Sequence, residues 1–167
     1  MRVAGKTTFL KTLGAKVLPG SNNIEEYDSF TFNLDSGKKI YIGAGKDIGG
    51  HTTYINQYTK IIEKADVIFY FLDIEKYLNN YIDPIDGLHY RRDCNSRLDL
   101  INIHKDSKKV IIFATHKDKL MITESIAKSK FFDLMKDKKY SEMLEGIIFI
   151  NLTNISETKS VINKIFN

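Results

Sequence analysis

Three short segments carry residue types suited to holding a phosphorylated nucleotide. Gly5-Lys6-Thr7-Thr8 is the second half of a G-x-x-x-x-G-K-[ST] loop, a turn of backbone N–H groups that wraps phosphates. In such a loop Lys6 reaches the outer phosphates, the Thr7 hydroxyl can ligate Mg²⁺, and Thr8 carries the chain into a helix whose positive end attracts anions. Asp47-Ile48-Gly49-Gly50-His51 follows a strand pattern. There Asp47 can hold Mg²⁺ through water, Gly50 lets a backbone N–H approach a terminal phosphate, and His51 can orient an attacking water. Ala114-Thr115-His116-Lys117-Asp118 follows a second strand pattern. Asp118 can accept two N–H bonds from a guanine edge, which adenine cannot reciprocate; each is worth roughly 1.5–3 kcal/mol.

Taken singly, each segment has a plain reading: a helix start, a glycine-rich turn, a polar loop after a strand. Their value depends on the elements that position them. Val67 to Leu72 and Lys109 to Ala114 are continuous apolar runs, the mark of strands covered on both faces, and Ile147 to Ile150 is a third. Helical spacing covers Thr7 to Leu18, Tyr54 to Lys64, about Leu88 to His104, Glu124 to Met135, Tyr140 to Leu144 and Ser156 to Phe166. Ser29 to Leu34 and Lys39 to Ala44 alternate as strands about an Asp35-Ser36-Gly37-Lys38 turn. Strands alternating with helices imply right-handed crossovers and a three-layer α/β architecture with a mostly parallel sheet. All three candidate segments then fall at strand ends, where open α/β sheets bind ligands.

The 167 residues suffice for one domain, at 43% hydrophobic and 28% charged. The net charge of +4 comes from dispersed lysines, so nucleic acid is not an expected partner. Cys94 is the only cysteine, which excludes an intrachain disulfide and makes a reducing cytoplasm the expected setting. His89, His104 and Cys94 lack metal-ligand spacing. No apolar run approaches the roughly 18 residues of a membrane span, so membrane insertion is not expected.

With the three segments in this order, the chain resembles the Ras-like small GTPases, and within them the Arf-like branch, over nearly its whole length. Asp47-Ile48-Gly49-Gly50 resembles the D-x-G-G switch II motif, Thr115-His116-Lys117-Asp118 a variant of the N/T-K-x-D guanine motif, and Ala65 to Asp73 the fourth strand. Thr153-Asn154-Ile155 takes the place of the last base-contacting loop, whose backbone N–H meets the guanine oxygen. The resemblance implies a P-loop NTPase (Ras-like) fold and a switch that binds GTP and GDP, hydrolyses GTP slowly with Mg²⁺, and meets protein effectors or regulators.

The departures are as informative. His51 stands where glutamine is usual, and His116 where a lysine stem covers the base. Ser21 is the candidate for the missing switch I threonine as a third Mg²⁺ ligand beside Thr7 and Asp47. Tyr77 to Leu88 reads as an insertion, and Arg91 or Arg92 as a possible arginine finger in cis. The first half of the phosphate loop and the strand leading into it are missing, so the chain as written is expected to be N-terminally truncated. Two alternatives stay open: a P-loop ATPase with Val67 to Asp73 as its Walker B strand, and a degenerate nucleotide-binding interaction module without turnover.

Overall fold

The computed structural model describes residues 4–18, 24–48 and 55–167, with side chains for 4–18, 26–45 and 57–167. In chain order the elements are α1 (Lys6–Thr12), β1 (Val17–Leu18), β2 (Ile24–Tyr27), β3 (Phe30–Asn33), β4 (Lys39–Ile42), β5 (Gly45–Ile48) and α2 (Ile55–Lys64). They continue with β6 (Val67–Asp73), α3 (Ile74–Leu78), α4 (Tyr90–His104), β7 (Lys109–Thr115), α5 (Glu124–Met135), β8 (Ile148–Phe149) and α6 (Ile155–Phe166). Short 3₁₀ turns occupy Lys117–Lys119 and Ser141–Leu144.

The three apolar runs form a parallel sheet in the order β6-β7-β8. β6 and β7 pair in register from Val67 opposite Lys109 to Asp73 opposite Thr115. Successive side chains point to opposite faces, and each face has its own core. Ile68, Tyr70, Leu72, Ile112 and Ala114 meet Tyr77, Leu98, Ala127 and Phe131 from α3, α4 and α5, with Ile62 of α2. Phe71, Ile111, Phe113 and Ile150 meet Phe9 of α1, Leu13 just after it and Ile162 of α6. Helices therefore cover both faces, the layered arrangement expected from the strand–helix alternation. Phe9 seals the second face: its ring centroid lies 5.1–5.5 Å from those of Phe69, Phe71 and Phe113. Burying an aromatic ring of this kind contributes roughly 1.5–3 kcal/mol.

The sheet is less parallel than expected. Three strands are parallel, whereas β1-β2-β5 and β3-β4 are separate antiparallel sheets. These two share one register: Tyr27 faces Gly45 and, three residues further on each strand, Phe30 faces Ile42. They are one long hairpin interrupted at Asp28-Ser29 and Gly43-Ala44. Its tip is tied to α6, with Asp35 N–H donating to Asn163 Oδ1 and Asn163 Nδ2 donating to Asp35 Oδ2, both at 2.8 Å. The hairpin's Phe32 and Leu34 also enter the second core. Among the described residues β6 pairs with no strand but β7.

Boundaries shift where local chemistry intervenes. The first helix ends at Thr12, not Leu18, because Gly14 adopts φ +102° and the Ala15 N–H turns back to the Leu10 carbonyl. The Tyr77 to Leu88 stretch begins with the last two residues of α3, whose N-cap Asp73 accepts from the Lys76 N–H at 3.1 Å. It continues as a closed loop pinned by Tyr90 N–H to the Tyr81 carbonyl and Asp83 N–H to the Leu88 carbonyl. Residues 1–3, 19–23 and 49–54 lie outside the described residues.

Candidate nucleotide site

The C-terminal ends of β6, β7 and β8 bring Asp73, the Thr115 to Asp118 loop and the Asn151 to Asn154 loop to one edge of the sheet. The N-terminal segment joins them. Gly5 has φ +83°, and a Cβ built there would lie 2.5 Å from Leu152 Cδ1. Glycine is favoured by the left-handed backbone, and a side chain there would also push the Leu152 side chain aside. Gly5 also starts α1 with no side-chain cap, so Lys6, Thr7 and Thr8 open the helix beside the loop after β8. Lys6 and Thr7 are half-buried and Thr8 is exposed.

The loop after β7 is strongly shaped. Thr115 is buried, and its hydroxyl donates to the Leu72 carbonyl at 3.0 Å, tying β7 to β6. His116 takes a left-handed conformation, φ 60°, and turns its Nε2 to within 3.8 Å of Asp73 Oδ2. Lys117 reaches Glu157 at 2.5 Å and Glu124 at 3.7 Å; its amine is held above the usual lysine value, first by the Glu157 hydrogen bond. Asp118 is exposed in the middle of the 3₁₀ turn, its carboxylate open to a ligand's donors.

The loop after β8 is built by a residue the sequence reading passed over. Asn151 Oδ1 accepts from the Thr153 N–H at 3.0 Å and from the Thr153 hydroxyl at 2.7 Å, and the Asn154 N–H donates to the Asn151 carbonyl at 3.1 Å. The Asn154 side chain caps α6 by accepting from the Glu157 N–H at 3.1 Å. The signal was available, since asparagine two residues before a small polar residue favours such a turn.

No protein-family model matches the chain, and no curated protein matches it. The geometry at these strand ends therefore has to carry the functional reading.

Thr115, His116 and Asp118 follow β7, Thr153 and Asn154 follow β8 at the same end of the parallel sheet, and Gly5, just ahead of Lys6, Thr7 and Thr8, approaches Leu152 in the second of these loops. The backbone of Asp47 lies in β5 opposite Glu25, while Ser21, Gly50 and His51 lie outside the described residues. Among the described residues no cluster of three or more His, Cys, Asp or Glu side chains gathers as a metal site. Arg91 does not take the finger role. Its Nε and Nη2 donate to the Tyr77 and Leu78 carbonyls at 3.0 and 2.8 Å, closing the C-terminal end of α3. Arg92 is exposed on α4. No helix among the described residues is long and apolar enough to cross a membrane.

Proposed function

We propose that the chain is a guanine-nucleotide-binding switch of the P-loop type that hydrolyses GTP to GDP. The observation that carries the reading is the convergence of three loops at one sheet edge: the Gly5 segment touching Leu152, the Asp118 turn, and the Asn151 to Asn154 loop. Lys6 and the first N–H groups of α1 bind phosphate oxygens, Asp118 selects guanine through its two-donor edge, and His51 positions the water that attacks the terminal phosphate.

The donors named for a cation are the Thr7 and Ser21 hydroxyls and the Asp47 carboxylate. Hard oxygen donors suit Mg²⁺, and half-buried Thr7, just after the left-handed Gly5, fits that use. The ion would neutralise charge on the outer phosphates when bound.

One observation favours modest base affinity, as in the degenerate nucleotide-binding module: the N–H groups of both Thr153 and Asn154 are already bonded to Asn151. The ATPase alternative needs Asp73 facing a metal, whereas its carboxylate caps α3 and faces His116. Calorimetric titration with GTP, GDP and ATP, followed by single-turnover hydrolysis with His51→Ala as control, separates the readings. Guanine-selective binding with cleavage lost in His51→Ala is expected. Guanine binding without cleavage selects the passive module, and equal affinity for ATP overturns the guanine reading.

A further inference from the structure

We infer that Lys117 is a positioning residue, an ionic clamp that fixes the turn bearing Asp118 against the loop bearing Thr153 and Asn154 and so sets the width of the base cleft. The inference rests on the nucleotide reading above.

The need for a clamp follows from the ladder. β8 is only two residues long, Ile148 and Phe149, and its pairing with β7 ends with the Ile150 N–H bonded to the Ala114 carbonyl at 2.9 Å. Beyond those residues no ladder bond among the described residues holds the two loops together. Asp118 lies in a 3₁₀ turn of three residues, closed locally by Lys119 N–H to the His116 carbonyl and Leu120 N–H to the Lys117 carbonyl. Such a turn fixes its own shape but not its distance from the next loop.

Lys117 supplies that distance. Its Nζ bridges Glu157 in the first turn of α6 and Glu124 in the first turn of α5. The Glu157 N–H is held by Asn154 Oδ1, so the same residue is joined to one loop by backbone and to the other by side chain. Glu124 is steadied in turn by Lys128 at 2.8 Å. Lys117 and Glu157 are each about three-quarters covered, with side-chain exposures of 26% and 25%, which limits screening. Networks of this kind hold geometry better than isolated surface pairs.

The experiment compares GDP and ADP affinity in the parent, Lys117→Gln, Glu157→Gln, the double variant, and the charge-swapped Lys117→Glu/Glu157→Lys chain, at low and high salt. Each single change should lower GDP affinity roughly two- to fivefold at low salt, and less at high salt. The double variant should be no worse than either single one, since the partners act as a unit. The swap restores the 117–157 attraction but sets a carboxylate at 117 against Glu124, so it should recover part of the loss, which a general structural defect would not allow. Unchanged GDP affinity in both single variants, or additive losses without rescue, overturns the clamp. If the parent binds no guanine nucleotide, the site reading fails by itself. The clamp is then judged by amide hydrogen exchange, which should quicken at 116–119 and 151–154 in both single variants; unchanged exchange there overturns it.

Discussion

His116 Nε2 sits 3.8 Å from Asp73 Oδ2, joining the loop after β7 to the buried end of β6. Asp73 is 1% exposed, its Oδ1 caps α3, and its own N–H donates to the Tyr90 hydroxyl at 2.7 Å. One residue thus anchors a helix start, a core tyrosine and the loop that presents Asp118.

Removing that anchor has a measurable cost. Asp73→Ala deletes the cap, worth about 0.5–2 kcal/mol, and for a chain of this size the melting temperature should fall by about 1–8 °C. Asp73→Asn keeps a capping oxygen and should retain most of the parent stability. Thermal unfolding followed by circular dichroism decides, and an Asp73→Ala chain melting with the parent would remove the anchor role.

Gly5 makes a separate prediction. Any side chain there meets a left-handed backbone, costing about 1–2 kcal/mol, as well as the Leu152 side chain at 2.5 Å. Gly5→Ala should lower stability by about that amount and weaken phosphate-dependent binding. Because the obstructing atom belongs to a flexible side chain, adding Leu152→Ala should return part of the binding but none of the backbone cost. Binding that stays lost in the double variant would mean that the Leu152 contact is not what positions the loop.

Much of the architecture was readable because it rests on strong local signals. The Val67 to Leu72 and Lys109 to Ala114 runs carry the mark of covered strands and are strands, and the bounds of the Glu124 to Met135 helix match the expectation, opening at the Thr123 cap. What escaped the sequence depends on pairing at a distance. β2 and β5 carry Glu25, Glu26, Lys46 and Asp47 and show no apolar alternation; their strand character comes from extending the β3–β4 register. In the site, Asp118, Gly5 and Lys6 announce themselves by residue type. The His116–Asp73 contact and the Lys117–Glu157 pair join positions far apart in the chain, and the pattern around them names neither partner.

The buried titratable groups predict an alkaline limit to stability. Burial pushes the Cys94 thiol from about 9 up to about 11, and it raises Tyr70, Tyr77, Tyr90 and Tyr140 above the usual tyrosine value. Each group stays protonated in the folded chain while its unfolded counterpart ionises. Unfolding therefore releases protons in this range, and stability falls as pH rises. For Cys94 the contribution is intact below pH 9 and is lost toward pH 11, about 2–3 kcal/mol in all. Denaturant midpoints measured from pH 8 to 11 should hold to about pH 9 and then drop, and Cys94→Ala should flatten the first part of that fall. A midpoint independent of pH over this range would contradict the burial of these groups.

Asp118 gives the sharpest test of base choice. It is exposed and its carboxylate caps nothing among the described hydrogen bonds, so Asp118→Ala should leave the melting temperature within a degree or two of the parent. Two charge-assisted bonds at roughly 1.5–3 kcal/mol each would disappear with it, enough to cost more than about a hundredfold in guanine-over-adenine preference. Phosphate binding through Lys6 should persist, so residual affinity for GDP and ADP should become similar. Asp118→Asn should also lose guanine preference, because its amide presents donors where guanine presents donors. Competition binding of GDP against ADP, with melting curves on the same samples, makes the measurement. Preference retained in both variants would mean that the base, if bound, is read from the Asn151 to Asn154 side of the cleft alone.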